Sequence, residues 1–415
     1  MLRNRRAYIL IAIIIIASSI LCFQKLPRTE EPVLVASVPA VDSTQIKMKD
    51  RFQAYEPVFE KGIEACKCPG AAVVVVKDTS VVFIKGFGTR RARGTEPVDA
   101  HTVFRLGSLS KGFAAVVAGT LVEKGYFSWD DRVREYYPEF ELKSEAQADR
   151  IRIYHILSHT TGLIRHAYTN LVEEGWSLDR IIPLLKDVTL TGKEGENYAY
   201  QNVAYAMIEK VINATTHQDY KDILRNEIFD RLGMKDASCT YEGLINSKDK
   251  AYPNMVVGRN YVYAKTRITK KYYNVVAAGG VNASASDMGQ WLKLLLGNRP
   301  DIISDNTLDR IFQPIITTTR EREFYDRWKE TSASYYAMGW RVLDFDNRRI
   351  EYHGGYVNGY RSEIAVDREN KVAVCALFNA PCEYAKYVVR DFLDFYDSNF
   401  QVQHNRMVAT KQDLQ

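Results

Sequence analysis

Residues 348–378 read RRIEYHGGYVNGYRSEIAVDRENKVAVCALF. Three runs rich in β-branched and aromatic residues are cut by Asn358–Gly359 and by the polar group Asp367–Asn370. Turn residues of this sort favour hairpins, so the stretch predicts antiparallel strands joined in chain order. Just before it, YAMGWRVLDF (336–345) ends at Asp346–Asn347, another turn pair, which completes a four-strand meander. Near the other end, AAVVVVKDTSVVFIKGFG (71–88) reads as a hairpin turning at Lys77–Ser80. From 108 to 296 the pattern is mainly helical, with polar, Tyr-rich loops near 240–275. Strands at both ends with helices between them predict an α+β fold: an antiparallel sheet flanked by helices, plus a mainly helical domain.

A chain of 415 residues with 46% hydrophobic content buries a sizeable core. Its formal charge of +5 is modest and its basic residues are scattered among acids, which argues against a nucleic-acid partner. The N-terminus starts with the basic MLRNRR and continues as the uncharged AYILIAIIIIASSILCF. A signal-anchor over residues 1–24 is expected, with Arg3, Arg5 and Arg6 cytoplasmic and the remainder outside the inner membrane, in the periplasm. Cleavage near Ala17–Ser19 is the competing reading. An extended linker is expected over 25–49, one domain over 50–400 and a polar tail over 401–415. Within the domain, helices are expected over 50–65 and 384–396.

The six cysteines outline no disulfide framework. Cys66 and Cys68 are one residue apart, awkward for mutual bonding, and lack the second pair of a metal site. Cys239, Cys375 and Cys382 are scattered, so all are read as free or buried thiols. His155 and His159 have zinc-like i, i+4 spacing but lack the intervening glutamate of H-E-x-x-H and are read as structural. No metal or cofactor is expected.

FRLGSLSKGF (104–113) carries the chemistry. Ser108 lies three residues before Lys111, one helical turn away, at the end of a helix where the dipole disfavours a cation. Burial and that dipole together lower an amine's pKa, and a neutral amine can take a serine's proton. The same helix start offers N–H groups to an oxyanion. The competing reading makes Ser108 a helix cap and lets Lys111 snorkel. Ser247–Lys250 repeats the spacing in a charged stretch read as a solvated loop. Of five Tyr-x-Asn matches, at Tyr168, Tyr200, Tyr252, Tyr272 and Tyr356, Tyr200–Asn202 is favoured because a polar loop there feeds an amphipathic helix. His353–Gly355 adds a histidine that can donate to substrate or tyrosine, and two glycines that let a substrate approach the strand. Arg361 is read as a surface charge.

Together, FRLGSLSKGF, GENYAYQNVAY and YHGGYVNGYRSEIAVD, with ILSHTTGL and AAGGVNASASDMGQWLKLLL, resemble the serine β-lactamase and penicillin-binding-protein superfamily. The branch is that of class C β-lactamases, D-Ala-D-Ala carboxypeptidases, D-aminopeptidases and related esterases. The likeness spans roughly 50–400 in the family's order. It implies Ser108 as the acylated nucleophile, Lys111 as base, Tyr200 as proton relay and Asn202 as a substrate-orienting amide. It implies an oxyanion hole from the N–H groups of Ser108 and Tyr356, beside Gly354 and Gly355. His353 would stand where class C β-lactamases have lysine, which resembles the carboxypeptidases and D-aminopeptidases more. The expected activity is hydrolysis of D-amino-acid peptides, such as a peptidoglycan stem. An esterase, a β-lactamase and a penicillin-binding sensor without turnover are the alternatives.

Overall fold

A computed structural model describes residues 43–258, 260–265, 268–318, 328 and 331–400. The expected anchor (1–24) and tail (401–415) lie outside the described residues. Among those described, no helix is long and apolar enough to cross a membrane. The chain divides into two compact units at Ile46/Lys47, and only the start of the helix Ser43–Gln53 is described in the first.

In the second unit the strands are β1 (Gly70–Lys77), β2 (Ser80–Gly88), β3 (Phe104–Arg105), β4 (Asn254–Val257), β5 (Asn260–Tyr263) and β6 (Asn282–Ala283). They continue as β7 (Ile316–Thr317), β8 (Thr331–Tyr336), β9 (Arg341–Phe345), β10 (Arg348–Val357), β11 (Tyr360–Asp367) and β12 (Val372–Phe378). Eight of them form one antiparallel sheet in the order β2-β1-β12-β11-β10-β9-β8-β7. The first and last segments of the domain therefore meet at β1 and β12, with Val74 opposite Cys375.

Apart from Lys77 at the end of β1, these two strands are apolar because both faces of the sheet are covered. The two-residue side-chain period divides them between two cores. Val73, Val75, Val374 and Ala376 pack with Phe52, Phe59 and Phe392 beneath the helices Ser43–Gln53, Glu56–Ala65 and Val388–Phe400. Val74, Val76, Cys375 and Leu377 join the larger core, which holds the helices Ser110–Glu123 and Ala285–Leu295.

The meander follows the turn residues. Asp346 and Asn347 (φ 45° and 62°) and Asn358 and Gly359 (φ 48° and 95°) occupy the left-handed region that two-residue hairpins require. Its first strand is shorter than the sequence suggested. The chain breaks at 337–340, where Gly339 (φ +76°) passes close to the Lys111 carbonyl, so 331–336 is a strand of its own. The expected helix over 50–65 is two helices, because Pro57 enters the first turn of Glu56–Ala65. Part of the expected linker is helical, since Ser43–Gln53 has no glycine or proline and its Phe52 stacks on Tyr396 and Phe400. The Tyr-rich region contains the β4–β5 hairpin rather than loop alone.

β10 also buries a carboxyl group. Glu351 is 5% exposed, its Oε2 has no hydrogen-bond partner among the described residues, and burial raises its pKa to about 8. The native state keeps this proton between pH 4.5 and 8 while the unfolded chain loses it. The stability it contributes is present below pH 4.5 and lost as pH rises through that window. Glu351→Gln should match the wild type at pH 4.5 in urea denaturation and exceed it at pH 8 by on the order of 3–5 kcal/mol.

Candidate active site

The helix Ser110–Glu123 is buried on nearly every side, as an almost wholly apolar sequence demands. Gly112 lets Trp340 lie against it, and Phe113 stacks on Trp291 with centroids 3.8 Å apart. A single 3-10 turn, Gly107–Leu109, leads into it and carries Ser108, half-buried and facing a cavity of about 380 Å³. Gly107 takes φ +55°, and a Cβ there would press on the Tyr356 backbone.

Ser110, not Ser108, ties this turn down. Its Oγ donates to Gly107 O (2.7 Å) and accepts from Val281 N (3.0 Å). Neither the turn nor the helix has a side-chain cap bond. The helix-cap reading of Ser108 therefore fails, and among the described residues no hydrogen bond spends its hydroxyl on the turn.

Lys111 is completely buried, and it does not snorkel. Its Nζ donates to Asn202 Oδ1 and to Ala278 O, each at 2.8 Å, and lies 4.6 Å from the Tyr200 ring centroid. Desolvation pushes its pKa well below the ordinary lysine value. A neutral amine has two N–H bonds and one lone pair. With both N–H bonds committed, the lone pair is what remains to accept a proton.

Tyr200 and Asn202 straddle Gln201 at the start of the helix Asn202–Ala206. The segment 156–163, a helix end and the turn after it, holds them there. His159 O accepts from Ala199 N (2.9 Å), and His159 Nδ1 accepts from Gln201 N (3.1 Å). The His159 ring lies 4.3 Å from that of Tyr200, and burial keeps it neutral by lowering its pKa well below the usual range. His155 accepts from Arg152 N through Nδ1. Among the described residues, no group of three or more His, Cys, Asp or Glu is arranged to hold a metal ion.

His353 lines the cavity, but both ring nitrogens are engaged by the protein itself. Nδ1 lies 2.9 Å from Gly354 O, which can only accept, so Nδ1 carries the proton. Nε2 then accepts from the Tyr336 hydroxyl at 3.1 Å. Burial first, and then the charge of Arg341, lower the pKa of His353 well below the ordinary value. In this arrangement it donates to neither a ligand nor Tyr200, contrary to the expectation from sequence. The glycines also serve a different purpose from the expected one. A Cβ on Gly355 would collide with Leu106 O, and one on Gly354 would meet Glu363 Oε2 at 2.8 Å. The strand thus packs against the nucleophile turn, helped by Ser362 Oγ donating to Leu106 O at 2.6 Å. β9 pairs with β10 only over Arg348–Tyr352, so 353–357 has no β9 partner where it meets the cavity. Tyr356 is 49% exposed there.

Ser108, Tyr200, Asn202, His353, Gly354 and Tyr356 therefore all line one cavity, with Lys111 beneath it and Gly355 behind the strand. Ser247 and Lys250 bond within their own loop, away from it. Sequence reasoning missed much of the wall, including Arg165, Arg341, Glu173 and Tyr272. Arg361 is not a surface charge: it lines the cavity and pairs with the buried Glu363 at 2.6 Å. Tyr272 belonged to one of the five Tyr-x-Asn matches, whereas no local signal marked the arginines.

Comparison with known proteins agrees with this geometry. A family model described as Beta-lactamase matches residues 56–394. The unguisins hydrolase ungD' of Aspergillus campestris is 26% identical over 76% of this chain and 59% of its own length. Protein flp of Staphylococcus aureus (strain MRSA252) is 21% identical over 82% of this chain and 65% of its own. The chain thus spans about 59% to 65% of the length of these relatives. Among solved structures, the octameric penicillin-binding protein homologue from Pyrococcus abyssi superposes with a TM-score of 0.72 at 23% identity, covering 82% of this chain and 77% of that one. The D-amino acid amidase from Ochrobactrum anthropi SV3, complexed with L-phenylalanine amide, gives 0.68 at 18% identity, over 85% and 99%. At these identities the two structures speak for the fold alone.

Proposed function

The chain belongs to the beta-lactamase family and is a serine hydrolase, and from that premise we propose that it cleaves peptides ending in a D-amino acid, as D-Ala-D-Ala carboxypeptidases do. Ser108 is the nucleophile in this reading. Its Oγ bonds to the substrate carbonyl carbon while neutral Lys111 takes the hydroxyl proton. The N–H groups of Ser108 and Tyr356 stabilise the oxyanion. Tyr200 passes the proton to the departing amine, and water then attacks the acyl-enzyme with the same groups in reverse. Asn202 commits its Oδ1 to Lys111, so its NH₂ is the group left to orient a substrate amide. His353 acts as a positioning residue for Tyr336 and the strand. An N-terminal anchor holding the domain at the outer face of the inner membrane completes the proposal.

The observation that carries the catalytic reading is the buried lysine with both N–H bonds committed, three residues after a serine that faces the cavity. The substrate class rests on charge, because Arg165 and Arg341 line the cavity together with Arg361, which Glu363 pairs, and Glu173 is the acid among the lining residues. A wall of that sign suits a terminal carboxylate. Arg341→Gln should raise KM for an acyl-D-Ala-D-Ala peptide by roughly 10- to 100-fold and leave a neutral activated ester within about threefold. Steady-state kinetics on the two substrates checks this. The carboxylate of Glu173 favours a second reading, a D-aminopeptidase that takes a free ammonium group. Intact-mass spectrometry with benzylpenicillin, alongside release of D-alanine from the acyl dipeptide, tests the assignment. A persistent penicilloyl adduct with D-alanine release supports it. Rapid drug hydrolysis favours a β-lactamase, and cleavage of only amine-bearing substrates favours the second reading.

A further inference from the structure

Away from the catalytic cavity, three thiols meet where the two ends of the domain are joined. Cys66 ends the helix Glu56–Ala65, Cys68 precedes β1, and Cys382 leads into the 3-10 turn Glu383–Lys386 beyond β12. Pairing of β1 with β12 brings the segments together, and all three residues pack in the same core cluster. Gly62 lets the Tyr384 ring lie directly on the helix, since any Cβ there would collide with it. The thiols are free: Cys66 Sγ donates to Ile63 O at 3.4 Å, Cys68 Sγ donates to Gly70 O at 3.6 Å, and Cys382 packs in the cluster with both.

Their surroundings differ. Cys66 is half-buried and opens onto a surface cavity of about 570 Å³ lined also by Val58, Lys61 and Tyr387. Cys382 is 3% exposed and sits behind it. Cys66 is thus the accessible thiol of the group, and its neighbours Cys382 and then Cys68 hold its pKa below the ordinary value, which favours attack from this sulfur. Because the three sulfurs are not arranged as a metal site, thiol redox chemistry is the use the cluster supports.

We infer that Cys66 and Cys382 form a thiol–disulfide exchange site, with Cys66 as the attacking thiol, Cys382 as the resolving thiol and a small disulfide as oxidant. The Cys66 thiolate attacks one sulfur of RS–SR, making a mixed disulfide and releasing RS⁻. Cys382 gives its proton to that thiolate and attacks the Cys66 sulfur, and the second RS⁻ leaves and is protonated by solvent. Two electrons and one proton pass from the protein to the oxidant and solvent supplies the second proton, giving one Cys66–Cys382 bond and two RSH. The bond ties the helix Glu56–Ala65 to the segment beyond β12 across most of the domain sequence. A cross-link over so long a loop constrains the unfolded chain strongly.

The test uses the full chain, reduced with dithiothreitol and then exposed to oxidised glutathione. The expected product lacks two hydrogens and yields a Cys66–Cys382 peptide on non-reducing digestion. Its Tm should rise by about 5 °C. Cys66→Ala should take up no glutathione here, while Cys382→Ala should stop at a glutathione adduct on Cys66. Cys68→Ala should still form the bridge. A lasting Cys66 adduct on the wild type, a bridge between other cysteines, or a bridge with no thermal shift would overturn the assignment. The readouts are mass and Tm, so they stand or fall independently of the catalytic proposal.

Discussion

Ser108→Ala is expected to lower kcat/KM on an activated ester by at least ~10⁴-fold and to abolish the penicilloyl adduct. The size of the loss follows from covalent catalysis, since without the hydroxyl no acyl-enzyme forms and only positioning and the oxyanion donors remain. The variant should also fold normally. Ser110 makes the bonds that fix the turn, and no cap bond depends on Ser108. Thermal denaturation should therefore place Ser108→Ala beside the wild type, while Ser110→Ala, which strips a buried hydroxyl from Gly107 O and Val281 N, should melt earlier. Turnover within about 100-fold of the wild type by an alanine variant with wild-type Tm would remove Ser108 from the chemistry.

Lys111→Met should reduce acylation by roughly 10³- to 10⁴-fold while keeping the shape of the buried side chain. The pH profile separates a base from a structural residue. Desolvation lowers the folded pKa of Lys111 well below the ordinary lysine value, and only the neutral amine accepts a proton. Wild-type activity is thus present above that folded pKa and lost as pH falls through it. In Lys111→Met the remaining activity should lack this limb. Lys111→Arg should be inactive too, because guanidinium keeps its proton, and less stable, because a permanent charge replaces a neutral group in a fully buried site. Stopped-flow acylation across pH, with denaturation of each variant, measures both effects.

Sequence determined what depends on neighbours along the chain. The Asn-Gly and Asp-Asn pairs fixed the hairpins of the meander because positive φ is a local demand. The apolar runs at 71–76 and 372–378 were legible as strands because β-branched residues there are bounded by turn residues. The Ser-x-x-Lys spacing at 108–111 and the polar entry at Tyr200 were legible because a helical turn and a helix start are short-range features. Only the tertiary structure decided what depends on residues far apart in sequence. Strand pairing, not spacing, brought Arg361 into the cavity wall beside Arg341 and Arg165, and brought Cys382 to Cys66. Ser108 was separated from the cap reading by Ser110 and Val281, and His353 lost its expected freedom to Tyr336 and Gly354. Glycine at 354 and 355 could be seen in the chain, but its cause lay in Glu363 and Leu106, which approach from other elements. Hydrogen bonds, burial and charge act over distances in space, and a linear pattern records only those whose partners are also neighbours along the chain.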